Sequence, residues 1–71
     1  MSEAIVMEVG TKYRVTTVTG TAFTGTFNGT WPGGMGDGRS FLDVVFEEKP
    51  PRPVASMSLY VSEIRSAEVV E

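Results

Sequence analysis

The 71-residue chain contains neither histidine nor cysteine. Histidine is the commonest general base near neutral pH and cysteine the strongest side-chain nucleophile, so two broad classes of enzyme chemistry lack their central residue. The carboxylates fall mostly in expected turns and at exposed strand positions, with no apolar pocket in the pattern to raise one into the range of a general acid. Glu47 and Glu48 stand side by side, most simply as a solvated loop end. The glycine-rich run Gly33 to Gly38 invites comparison with phosphate-cradling loops. It lacks the lysine and hydroxyl residue that must follow, and it leads into a strand instead of a helix, so neither nucleotide-loop mechanism applies. Trp31 beside Pro32 has the composition of a polyproline-binding platform, with packing beneath the glycine run as the competing role. The inventory argues against catalysis and offers no metal or cofactor site.

The elements that would position these residues are short strands. Lys12 to Phe27 reads as a hairpin turning at Thr19-Gly20. Tyr13, Val15 and Thr17 alternate along its first strand, and Phe23, Gly25 and Phe27 along its second. A glycine between two inward aromatics lets a strand bend or another backbone approach. Ser2 to Val9 is either one helical turn capped by Ser2 or a short strand before a turn at Gly10. Thr30 to Arg39, with four glycines and a proline, is expected to be a loop, mobile over Gly33 to Gly38. Ser40 to Glu47 is a third strand, with Leu42, Val44 and Phe46 on one face and Phe41, Asp43 and Val45 on the other. Glu48 to Pro53 is a proline-stiffened loop. Ala55 to Tyr60 follows as a strand with Met57 and Leu59 inward. Val61-Ser62-Glu63 turns tightly into a last strand, Ile64 to Val70. The expected fold is therefore all-β, a small, strongly bent, five-stranded antiparallel SH3-type barrel, in one domain.

Composition bears on assembly. A single core below about 70–80 residues rarely nets more than about 3–5 kcal/mol, so such folds need disulfides, a metal or a partner subunit. With no cysteine for a disulfide and no histidine for a metal, self-association is the remaining source. Met57, Leu59, Ile64 and Val69 on the last two strands need cover, and head-to-tail pairing of identical subunits into a ring would supply it. The net charge is −3, from six basic and nine acidic residues, and the basic ones are scattered, unlike the stripe of an electrostatic nucleic-acid binder. The N-terminus has neither the basic region nor the apolar length of a signal peptide or membrane span, which implies a cytoplasmic protein.

The spacing of Gly20, Phe23, Gly25 and Phe27, preceded by Tyr13 and Val15, resembles the first motif of the Sm-like superfamily, which includes the Sm/LSm proteins and bacterial Hfq. Phe41-Leu42-Asp43 before Val44 and Phe46 is similar to that motif's end, and Leu59 to Ile64 to the second, shorter motif. The short Sm-like proteins attributed to cyanophages are the nearest in kind, which would place the chain in a host cytoplasm. The resemblance implies a homo-oligomeric ring joined by the fourth strand of one subunit and the fifth of the next, acting without catalysis in RNA binding or RNA processing. It implies that an aromatic stacks on a base, an asparagine reads the base edge and basic residues hold the RNA near a central pore.

Carried onto this chain, those roles fall to Phe41, Asp43, Arg39 and Ser62. The chain departs from the pattern at three of them. Asp43 stands where the base-reading asparagine is expected, Val61 and Ser62 where the basic residues are, and Arg39 where the motif is acidic. An ionised aspartate only accepts hydrogen bonds, so it would repel a uracil carbonyl and suit guanine or cytosine donors. Phe41 competes as a packing residue, against a neighbouring subunit or Trp31, and Asp43 as a turn residue or a partner for Arg65 or Arg39. Two other functions stay open: a protein-interaction ring without RNA affinity, and a monomeric SH3-like peptide binder using Trp31, Tyr13 and the proline loop.

Overall fold

The computed structural model describes residues 7–33 and 36–70; the choice of helix or strand for Ser2 to Val6, and Gly34 and Met35 of the glycine run, lie outside the described residues. Five antiparallel strands form one sheet: β1 (Lys12–Thr17), β2 (Ala22–Gly33), β3 (Gly36–Phe46), β4 (Arg52–Tyr60) and β5 (Ile64–Val69), in the order β4-β3-β2-β1-β5. The sheet is not closed, because β4 and β5 occupy its two ends. No helix among the described residues is long and apolar enough to cross a membrane.

The first hairpin follows the alternation in its sequence. Tyr13, Val15 and Thr17 are buried on β1, as are Phe23, Gly25 and Phe27 on β2. Its connection is a three-residue loop, with Gly20 N–H donating to the Thr17 carbonyl (3.0 Å) and Thr17 N–H to the Thr21 carbonyl (2.8 Å). Gly20 sits at φ +93°, the position that favours glycine when a turn ends in a left-handed residue. The Thr17 hydroxyl, buried with the apolar side chains, lies 2.9 Å from that of Thr19 and accepts from Thr21 N–H. Gly25 has the close approach expected of it: a β-carbon there would lie 3.0 Å from Val44 Cγ2 and 3.2 Å from Phe41 Cβ.

Three expectations are corrected. Thr30 to Gly33 and Gly36 to Arg39 are strand, not loop, and β2 and β3 pair at Thr30↔Arg39, Trp31↔Gly38, Pro32↔Asp37 and Gly33↔Gly36. The faces of β3 are also different. Phe41 and Val44 are fully buried, three residues apart, while Leu42 is 39% exposed. Asp43, at φ +51°, lies where β3 gains a residue relative to β2, a bulge that resets the alternation. A second register shift, between Phe27 and Gly29, restores the original offset further along the ladder. Finally, β4 begins at Arg52 and includes Pro53, which an edge strand tolerates because its outward N–H needs no partner.

Aromatic rings fill much of the core. Phe41 lies 5.4 Å from Phe23 and 5.8 Å from Phe27, and Tyr13 meets Phe27 edge-on at 6.4 Å. Val15, Val44, Leu59 and Ile64 complete the buried set. Val61–Glu63 form one 3₁₀ turn between β4 and β5, and Glu63 Oε1 accepts the Tyr60 N–H at 2.8 Å. The Glu63 carbonyl in turn accepts the Val18 N–H, tying this turn to the first hairpin.

Candidate functional site

The four residues carried over as a base-binding set are not equally available. Phe41 is completely buried among Phe23, Phe27 and Val44. Neither face of its ring is exposed, so it takes the competing packing role, with the core rings Phe23 and Phe27 as partners and not Trp31. Asp43 is exposed on the β3 bulge, and its carboxylate has no hydrogen-bond or ion-pair partner among the described residues. Aspartate is one of the few residues that tolerate a positive φ, which accounts for its presence there without reference to a ligand. Arg39 is half-buried, pairs across to Leu59 on β4, and donates from Nη1 to the Gly38 carbonyl at 3.1 Å. Ser62 is exposed in the 3₁₀ turn.

The assembly candidates divide in the same way. Leu59 and Ile64 belong to the core of their own chain and do not require a neighbour to cover them. Met57 is half-buried against that core. Val69, at 58% exposed, remains an uncovered apolar side chain on an edge strand.

A cleft of about 410 Å³ lies between β4 and the first hairpin's turn. Val18, Phe46, Met57 and Leu59 give its apolar lining, and Thr17 and Thr19 line the hairpin side. Arg52 lies over the Phe46 ring, 4.4 Å from its centroid, and approaches Glu48 at 3.3 Å. Both partners of this pair are about half exposed, so the attraction is weak and screened by salt.

Two features escaped the sequence reading. Arg14 and Glu47 form a two-pronged pair across strands, Nε to Oε2 at 2.6 Å and Nη2 to Oε1 at 2.9 Å. The hydrogen bond from Arg14 holds the Glu47 carboxyl below the usual carboxylate range, and the same bond raises the Arg14 guanidinium. The second is the Trp31–Tyr60 pair, with centroids 5.4 Å apart and planes at 58°. Trp31 and Tyr60 both pair with Gly38, and a β-carbon at Gly38 would fall inside the Trp31 indole. A tryptophan and a glycine seven residues apart, across a reversing run, were the only signals of this arrangement in the sequence.

Comparison with known proteins finds no matching family model, no matching curated protein and no matching solved structure.

Proposed function

We propose that the chain is a non-catalytic assembly module of the Sm-like type, a homo-oligomeric ring in which β4 of one subunit pairs with β5 of the next. The observation that supports this reading is the strand order. It leaves two unpaired edges, β4 and β5, at opposite ends of one antiparallel sheet. An edge strand carries a row of unsatisfied N–H and C=O groups, and antiparallel pairing with another copy satisfies both rows at once. Head-to-tail contacts of this kind close into a ring when the rotation between subunits allows it. The bent sheet would then be the SH3-type barrel of that superfamily, with the 410 Å³ cleft marking where β4 falls short of the first hairpin.

The assembled ring serves as a scaffold for other proteins. With Phe41 in the core and an overall charge of −3, little in the chain holds a polyphosphate. Sedimentation equilibrium at several concentrations tests the assembly: a mass several times the 7.7 kDa of one chain is expected. A single species at the mass of one chain, well folded at micromolar concentration, would reject it.

Single-stranded RNA binding is the second reading, and the exposed Asp43 at a positive-φ bulge favours it, since a carboxylate there is free to accept from a base edge. It predicts salt-weakened binding of oligonucleotides, with guanine-containing ones preferred over oligo-U. Fluorescence anisotropy showing tighter binding to oligo-U, or no binding at low salt, would dismiss it.

A further inference from the structure

Asn28 carries the only side-chain amide of the chain, which has no glutamine and no other asparagine, and a glycine follows it. We propose that Asn28–Gly29 is a self-modifying site, where the carboxamide is lost through a cyclic imide and replaced by aspartate and isoaspartate. The inference does not depend on the assembly reading.

The reaction is intramolecular and needs only water as co-reactant. The Gly29 backbone nitrogen gives up its proton to solvent base and bonds to Asn28 Cγ. The Cγ–Nδ2 bond breaks, and ammonia leaves. Water then opens the succinimide. Attack at Cγ breaks the new bond and gives aspartate, whereas attack at the main-chain carbonyl carbon breaks the original peptide bond and routes the backbone through Cγ as isoaspartate. The net change turns one amide and one water into one carboxylic acid and one ammonia, with nothing oxidised or reduced. Closing the ring requires a nitrogen within reach of the side chain and a following residue with no β-carbon to obstruct it.

The fold meets those requirements at this pair. Asn28 is exposed, and the β2–β3 ladder skips it, since Phe27 pairs with Phe41 and Gly29 with Ser40. It is therefore the extra residue of a bulge, which the ladder holds least. Gly29 sits at φ +126°, and nothing beyond its chain neighbours lies within 4 Å of its β-carbon position. The last contacts of the β1 side with β2 are those of Gly10 and Thr11 with Phe27. From Asn28 onward only β3 flanks β2 among the described residues.

The chain also contains a contrast. Asp37–Gly38 can cyclise by the same route, losing water instead of ammonia, and reopen as isoaspartate. Asp37 is exposed too, but Gly38 is buried and paired on both sides, with Trp31 and with Tyr60. Its β-carbon position falls inside the Trp31 indole, so its nitrogen is freed only when the packing over it is lost. Isoaspartate at position 28 adds a backbone carbon where the ladder already accommodates a whole extra residue, so the converted chain keeps its fold. One added carboxylate takes the net charge from −3 to −4.

The test incubates the full-length protein, folded and in urea, in mildly alkaline buffer made with heavy-oxygen water. Peptide mass spectrometry with isoaspartate-selective fragmentation then follows both glycine pairs. Folded Asn28 is expected to convert no more than about tenfold more slowly than in urea, the retardation of a shallow local opening. Heavy oxygen is expected in both products, isoaspartate among them, with the circular dichroism of the folded sample unchanged. An acidic band on isoelectric focusing should grow at the same rate and be missing from Asn28→Ser. Asp37 should be slowed at least about a hundredfold by folding, as befits an amide released only by global unfolding. Equal protection of the two pairs would overturn the proposal, as would a folded Asn28 slowed beyond tenfold or a product holding aspartate without isoaspartate.

Discussion

Replacing Phe41 by alanine separates a core role from a ligand-binding one. The side chain is fully buried, meets Phe23 at 5.4 Å and Phe27 at 5.8 Å, and its Cβ lies against Gly25. Truncating a buried phenylalanine costs about 3–5 kcal/mol, of which two ring–ring contacts account for about 1–3. A core of this size nets about 3–5 kcal/mol in all, so Phe41→Ala should leave the chain largely unfolded at 25 °C. Phe41→Leu keeps most of the volume and should cost about 1–1.5 kcal/mol, lowering the melting temperature by roughly 5–10 °C. Far-UV circular dichroism melts of the two variants, with urea titrations beside them, give both numbers. A base-stacking phenylalanine would behave in the opposite way: alanine would leave the melt unchanged and remove about 1–3 kcal/mol of oligonucleotide affinity. A Phe41→Ala protein with the parent midpoint would refute the core assignment.

Other substitutions test other parts of the fold. Gly25→Ala forces a β-carbon to 3.0 Å from Val44 and 3.2 Å from Phe41, so urea denaturation should show a loss of about 1–3 kcal/mol, the usual cost of overpacking. Gly38→Ala should expel the Trp31 indole from its position and shift the emission of that single tryptophan to the red; an unmoved spectrum would contradict the packing described. At the bulge, Asp43→Val should destabilise the chain by about 1–2 kcal/mol because a β-branched residue resists φ +51°, while Asp43→Gly should be neutral or slightly stabilising in the same titration. The Glu47 carboxyl is held low by Arg14, so its contribution is present above the unfolded-state pKa and disappears as pH falls through the lower, folded-state value. Glu47→Gln should flatten the acid limb of a stability–pH curve, and an unchanged limb would show that the pair is not maintained in solution.

Local sequence specified the first hairpin well because its two faces differ sharply: aromatic and β-branched residues inward, lysine, arginine and threonine outward. It specified β3 less well because Phe41 and Leu42 are both apolar, and alternation alone cannot choose between two apolar parities. Asp43 decides the matter, and only its tolerance of a left-handed backbone hints at the bulge that reverses the faces. The glycines and proline between Thr30 and Arg39 mislead local reading for a different reason. Intrinsic strand propensity there is poor, but Trp31 and Tyr60 close over Gly38 from both neighbouring strands, and that packing supplies what the glycine lacks. Proline at position 53 reads locally as a breaker, because whether a strand lies at an edge is settled by the whole sheet. The same dependence governed the candidate site. Which side chains face outward on β3 follows from register, so Phe41 went to the core and the Trp31–Tyr60 pair stayed hidden, whereas Leu59 is inward as its alternation implies.

The account depends on both outer strands being partnered by other copies of the chain, and residue-resolved amide hydrogen exchange addresses that directly. In an isolated sheet, the β4 amides that point away from β3 and the β5 amides that point away from β1 exchange at nearly the rate of free peptide. The proposed ring predicts slow exchange of both outward sets together at high concentration, with both accelerating on dilution below the assembly range. Fast exchange on both edges at every concentration, with β1 to β3 still protected, would show a sheet that keeps its edges to the solvent.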